Sequence, residues 1–371
     1  MGKRVLHIFP SFGIGGQQRR LIDLIAAFGD QLHHEIISLD DEISASTLLV
    51  DPDQVAVRAL NLLKSATIRL GNIRVLRAAI GEAEPAYICT YNWGSIEAVL
   101  AWRSLGAAAF EGGQKPSHLH FEDGFGPDED LDCQNPKRVW TRRLALARST
   151  IIVPSHGLET LALTRWNLPS DRVLRLGNGI DLARFSVPGK KPSDDGPVMI
   201  GSVGALRREK RFDLLIDTAT TVAKDHPCAV TLVGDGPEMT MLRAQAANVT
   251  RHVKVDLPGP TRAAQEWYAR FDIFMMSSQT EQMPISLMEA MAAGLPVVAT
   301  NVGDIDRMVS DENKPFIVEN GDLQGLSVAL AKLVAARDLR QRLGAANQRK
   351  AMAHFGREQM ITHYSSLFDL P

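Results

Sequence analysis

Apolar positions along this chain fall into short runs of roughly four to seven residues, rich in Val and Ile and bounded by Gly, Pro or Asp, and between these runs lie longer stretches with helical periodicity. Such alternation predicts βαβ units on parallel sheets. The first half reads as strands "RVLHIFP", "EIISLD", "AYICTY", "SHLHFE" and "STIIVPS", a helix "HGLETLALTRWN", and then "RVLRLGNGIDLARF" as a strand and a turn. Residues 186–197, "SVPGKKPSDDGP", are rich in Pro, Gly and charge and read as a linker. Beyond it the pattern starts afresh with "VMIGSVG", helix "FDLLIDTATTVAKD", "AVTLVGDG", helix "MTMLRAQAAN", "VKVDLPG", helix "AAQEWYARF", "DIFMMSS", an apolar helix, and "PVVAT". The expected fold class is α/β: two Rossmann-like doubly wound domains, 1–185 and 198–355, facing a cleft. In such sheets ligands sit at the carboxyl ends of the strands, near the point where strand order reverses.

Length agrees, because 371 residues exceed one ordinary core. A formal net charge of -2 offers no global attraction to polyanions, so no nucleic-acid partner is expected. Cys89, Cys133 and Cys228 are odd in number and far apart, which predicts neither a disulfide framework nor a metal knuckle and fits a reducing cytosol. The start "MGKRVLHIFP" has too short an apolar run for a signal peptide, and no run reaches the ~18 residues needed to span a bilayer. A cytoplasmic protein is expected, with a peripheral position on the inner membrane face as the variant considered below.

Chemistry enters with "SSQTEQMPISLMEAMAAGLPVVAT", residues 277–300, where Glu281 and Glu289 flank and enter an otherwise apolar helix. A carboxylate there is costly unless something hydrogen-bonds to it. Pro284 suits the helix start and Gly294 its stop, so the free N–H groups of Ile285, Ser286 and Leu287 should form an anion site at the positive end of the dipole. Glu281 and Glu289 can then face one ligand carrying phosphates and vicinal hydroxyls. Taken singly, Glu289 also reads as a surface helix acid and Lys210 as a solvated cation.

The stretch "TEQMPISLMEAMAAGLPVVATNVGD" resembles the E-x7-E segment of the retaining family 4 glycosyltransferases with the GT-B fold. "SVGALRREKRFDLLI" is similar to that family's donor-phosphate stretch G-R-L-x-x-E-K-G, "LVGDGPE" to its next strand and turn, "GNGIDLARF" to its interdomain turn, and "PSFGIGGQQRR" to its first loop. The closing "FGREQMITHYSSLF" resembles its last helix, which implies that residues 356–371 return to the first domain. The resemblance implies that Glu289 binds the nucleotide ribose, that Glu281 contacts the donor sugar, and that Lys210 neutralises the diphosphate, with Met283, Pro284, Ile285 and Ser286 lining the donor site. The family's arginine beside the phosphate is here Ala205, so Arg207 or Arg208 is expected to reach the diphosphate instead.

In the first domain Gly15 and Gly16 let a ligand approach the backbone at a strand-to-helix turn, although Gln18 breaks the dinucleotide fingerprint. By resemblance this loop approaches the donor phosphates. His118 and His120 share one face of a strand, and the resemblance makes His120 the histidine near the reacting sugar. The acids Glu122, Asp123, Asp128, Glu129, Asp130 and Asp132 do not match a calcium loop and read as a solvated one.

The expected activity is that of a retaining hexosyltransferase, moving a sugar from a nucleotide-diphosphate donor to an acceptor hydroxyl in cell-surface polysaccharide or glycolipid synthesis. His120, Lys210 and Glu281 are its expected catalytic residues, with no metal and no cofactor beyond the donor. A nucleotide-sugar epimerase and a non-catalytic nucleotide-sugar-binding subunit are the alternatives. No acid lies between Asp53 and Glu82, where Arg58, Lys64, Arg69, Arg74 and Arg77 punctuate an apolar pattern, and a second such stretch carries Lys137, Arg138, Arg142, Arg143 and Arg148. As a basic amphipathic helix the first would bind an anionic membrane surface and point to a lipid-linked or glycan acceptor. As an ordinary crossover helix it would bury its apolar side.

Overall fold

Strands whose residues are buried on both faces need continuous apolar sequence, and that is what the runs of the first half become. The computed structural model describes residues 2–370 except 52–54, 63–66, 127, 187–195, 250 and 252. By contacts the chain divides into two units, Met1–Gly177 with Met360–Pro371, and Asn178–Gln359.

The first unit holds β1 (Lys3–Phe9), α1 (Gly16–Phe28), β2 (Leu32–Ser38), β3 (Ala56–Ala59), α2 (Leu70–Ala83), β4 (Tyr87–Tyr91), α3 (Ile96–Ser104), β5 (Ser117–Phe121), α4 (Pro136–Leu146), β6 (Thr150–Val153), α5 (His156–Thr164) and β7 (Val173–Arg175). All seven strands are parallel, in the order β3-β2-β1-β4-β5-β6-β7. Alternation along β1 sends Val5 and Phe9 to a core with α1, and Leu6 and Ile8 to one with Leu76 and Ile80 of α2 on the other face. Met360, Tyr364 and Phe368 complete the first of these cores.

The second unit holds α6 (Leu182–Phe185), β8 (Val198–Val203), α7 (Phe212–Val222), β9 (Cys228–Val233), α8 (Met239–Val249), β10 (Lys254–Gly259), α9 (Ala264–Tyr268), β11 (Ile273–Met276), α10 (Ile285–Ala292), β12 (Val297–Thr300), α11 (Ile305–Met308), β13 (Ile317–Val318), α12 (Leu323–Ala335) and α13 (Arg337–His354). Its sheet is again parallel, ordered β10-β9-β8-β11-β12-β13. One face is packed by α7, α8 and α12, the other by α9, α10, α11 and α13. A last helix, α14, spans Arg357–Ser365. Both sheets reverse direction once, between β1 and β4 and between β8 and β11, the strand order of a doubly wound fold.

Two expectations shift, and a third falls outside what is described. The boundary set at 185 falls inside the second unit, because Ile180 bridges to Gly356 and packs with Phe185 in that unit's core. Most of the linker at 186–197 lies outside the described residues. The basic segment from Arg58 onward is not one helix: Arg58 lies on β3, Lys64 is outside the described residues, and α2 begins only at Leu70.

Candidate functional site

The reversal between β8 and β11 sends the loop after one strand to one face and the loop after the other to the opposite face, opening a crevice at their carboxyl ends. Hydrogen bonds lace the two loops together. Ser277 Oγ donates to the Arg211 carbonyl at 2.6 Å, and the Gln279 N–H donates to the Glu209 carbonyl at 2.7 Å. Across this crevice Lys210 Nζ forms an ion pair with Glu281 Oε1, which also accepts from Ser278 Oγ at 2.8 Å. Glu281 is almost fully buried, its side chain 9% exposed against 26% for Lys210. The sequence-expected cation and acid are therefore one pair at the switch point, the carboxylate mostly enclosed and the ammonium partly open to solvent.

Helix α10 starts beside them. Pro284 is its N-cap rather than its first residue, and the Leu287 N–H donates to the Pro284 carbonyl at 3.2 Å. That corrects one expectation: of the three expected free donors, Ile285 and Ser286 keep no partner among the described residues, whereas Leu287 has one. Asn178 Nδ2 donates to the Met283 carbonyl at 3.0 Å and fixes the approach to the helix. Glu289 sits just over one turn in, and its Oε2 accepts from the Tyr268 hydroxyl at 2.7 Å. Tyr268, buried on α9, is a site residue that sequence reasoning missed. The cost of a carboxylate on an apolar helix is thus offset by a phenol on one acid, and by a serine and an ammonium on the other.

Arg207 and Arg208 do not join this pair. They line a separate recess with Arg211 and the starts of α7 and α8, which Lys210, Glu281 and Glu289 do not line.

In the first unit Gly15 caps α1 in extended conformation and Gly16 begins it, with no side-chain cap, so the helix start is open. Next to it Arg20 and Gln17 of α1 both donate to Asp123, just past the end of β5, Arg20 at 2.8 Å to Oδ2. The Asp123 N–H donates to Asn92 Oδ1 at 2.8 Å. This polar cluster stands at the carboxyl ends of β4 and β5, where His120 was expected. His120 itself is fully buried: its Nδ1 lies 2.7 Å from Thr90 Oγ1 and its Nε2 3.5 Å from Glu122. It has no exposed surface in this structure, where its ring faces a threonine and a glutamate. Beyond Glu122, the buried Arg142 reaches Glu122 at 3.4 Å and Glu129 at 3.2 Å. Glu129 is therefore a core acid, not part of a solvated loop, and Arg142 is not a surface cation.

Two α/β Rossmann-like domains, each a doubly wound parallel sheet, are the architecture of the GT-B class of fold. Residues 184–350 match the family model "Glycosyl transferases group 1". The chain is 30% identical over 241 residues to a GDP-mannose-dependent alpha-mannosyltransferase of Mycolicibacterium smegmatis, covering 62% of this chain and 60% of that protein. It is 29% identical over 188 residues to the lipopolysaccharide core biosynthesis glycosyltransferase LpsE of Rhizobium meliloti, covering 51% and 53%. The chain thus spans about half the length of the curated relatives it matches. Its fold is that of Anabaena HepE, solved in complex with UDP and glucose, with a TM-score of 0.77 over 99% of this chain and 100% of that one at 18% identity.

Proposed function

We propose that this protein is a retaining glycosyltransferase, transferring a hexose from a nucleotide-diphosphate sugar to an acceptor hydroxyl in surface polysaccharide or glycolipid synthesis. The observation that carries the reading is the Lys210–Glu281 pair at the β8/β11 switch point, with the open start of α10 and Glu289 beside it. Leaving-group departure puts charge on a diphosphate, and a fixed ammonium with helix N–H groups stabilises it in place, without a metal. Donor entry frees Lys210 Nζ from Glu281 for the phosphate and leaves the Glu281 carboxylate to accept from sugar hydroxyls. Glu289, held by Tyr268, accepts from the vicinal ribose hydroxyls. No enzymic nucleophile is assigned, so the departing phosphate helps take the acceptor proton while the protein supplies position and charge. The Mycolicibacterium relative's GDP-mannose and HepE's UDP and glucose support a nucleotide-sugar donor.

The acceptor belongs to the first unit in this reading. At its own switch point lies a recess of about 480 Å³, flanked by Pro10 after β1 and Trp93 after β4, with Leu62 and Ile68 as apolar wall and Lys137 and Arg138 at the rim. Arg138 is paired with Asp128 and Glu129, so the apolar wall and Lys137 are what suit a lipid-linked acceptor at an anionic membrane surface. Arg69, just before α2, and Arg74 and Arg77 within it are exposed while Leu76 and Ile80 fill the core, so any membrane contact comes from the cations and from exposed apolar residues such as Leu70 and Val75. Arg58 is excluded, being paired with Glu35 and Glu82. Among the described residues no helix is long and apolar enough to cross a membrane.

The test is a panel of nucleotide sugars screened by thermal stabilisation, followed by product analysis with and without acceptor. A donor that stabilises the protein and is transferred with retention supports the reading; a donor converted without any acceptor shows an epimerase. Vesicle co-sedimentation that needs anionic lipid and falls when Arg69, Arg74 and Arg77 become Glu supports the membrane acceptor, and equal recovery with neutral vesicles removes it.

A further inference from the structure

The arginines that fail to join Lys210 have a site of their own. On the α7/α8 side of the crevice lies a recess of about 370 Å³ whose wall carries Arg207, Arg208, Arg211 and Gln279 over an apolar floor of Phe212 and Met241. Three guanidiniums from one tight turn repel one another unless something negative sits among them. Arg211 is answered by Asp213, at 3.0 Å, but Arg207 and Arg208 have no ion pair among the described residues. Glu238, also on the wall, offsets one further charge, so three cations against two carboxylates leave one positive charge to neutralise. Residues from the first turns of α7 and α8 line the same recess.

We infer that this recess is a second anion site, distinct from the nucleotide crevice, which takes a phosphoryl group carried on a small molecule or free in solution. Arg207 and Arg208 grip the oxygens bidentately, the Gln279 amide donates a further hydrogen bond, and Phe212 and Met241 accept an apolar or sugar face. Lys210 ends the same short turn, Arg208–Lys210, that carries Arg208.

Thermal stabilisation by inorganic phosphate and by a hexose 6-phosphate, against chloride at equal ionic strength, tests this on the whole protein. Both anions are expected to raise Tm, and the Arg207→Glu/Arg208→Glu double variant to weaken their apparent affinity by about tenfold or more. Lys210→Ala is expected to keep the response. Tighter binding of the hexose phosphate assigns the apolar floor to a sugar; equal affinities assign the recess to free phosphate. No shift beyond chloride, an undiminished shift in the double variant, or its loss in Lys210→Ala overturns the proposal, the last by moving the anion to the Lys210 crevice. Because phosphate binding is read without nucleotide, a protein that binds no nucleotide sugar leaves this result interpretable.

Discussion

Each acid of the crevice takes a hydrogen bond from a neighbouring hydroxyl, Glu289 from Tyr268 and Glu281 from Ser278, the latter beside its ion pair with Lys210. Removing the phenol by Tyr268→Phe takes away a hydrogen bond that helps orient Glu289, and loss of a hydrogen bond to a charged group is expected to weaken nucleotide binding by about 1.5–3 kcal/mol. Calorimetric titration of nucleotide into the variant checks this, and unchanged affinity would dissociate Glu289 from the ribose. Lys210→Ala is expected to melt close to the parent temperature, because the pair it breaks is partly solvated, yet to lower turnover by about 10²–10³-fold, the loss typical of one transition-state stabiliser. Normal turnover in a folded variant removes Lys210 from the reaction. The contrast with His120 is instructive. Its partners Thr90 and Glu122 become visible only once β4 and β5 are side by side, so a residue type suited to catalysis reads as catalytic until the fold shows it enclosed.

Elements were legible wherever pattern and burial coincide. β4, β9 and β11 are buried along their whole length and stand out as apolar runs. The edge strands β3 and β13 were missed because they are two to four residues long and only partly buried, so neither alternation nor a run marks them. The placement of Glu281 before the helix and Glu289 within it was legible because Pro284 and Gly294 mark the helix ends, whereas Tyr268 was not, since its contact with Glu289 is made by tertiary packing of α9 on α10. Packing of this kind also fixes α13. Helix α10 ends on Gly294, φ 75°, and a Cβ at Gly344 in the middle of α13 would lie 2.0 Å from the Gly294 carbonyl oxygen. Alanine ordinarily stabilises a helix interior by ~1 kcal/mol over glycine. Here the clash reverses the sign, and Gly344→Ala is expected to cost about 1–3 kcal/mol in denaturant unfolding. A stabilised variant would mean that the helices are not in contact there.

At the scale of the molecule, pH sensitivity is concentrated in the first unit. His7, His34 and His118 are buried there as neutral rings; burial pushes all three down, His34 to about 4, with a neighbouring histidine adding to the effect at each. Their ordinary value is near 6.5, so as pH falls from about 6.5 towards 4 the unfolded chain takes up protons that the folded one refuses. Stability is full above that window and declines within it by up to about 1.4 kcal/mol per pH unit for each imidazole. Melting temperature is expected to drop steeply from pH 6.5 to 5, and His118→Asn to flatten the slope; a Tm independent of pH over that range would contradict neutral burial. The return of residues 360–371 to the first unit's core has a consequence in time. Tyr364 and Phe368 pack against Phe121, Phe28 and Tyr87, and Lys3 donates to the Phe368 carbonyl at 2.9 Å. The second unit is one uninterrupted segment, 178–359, inserted into the first. A ribosome therefore delivers everything the inserted unit needs before it delivers the last pieces of the one it began with. Folding in the cell runs against the order of synthesis, with the earliest sequence waiting, its aromatic core uncovered, for the latest.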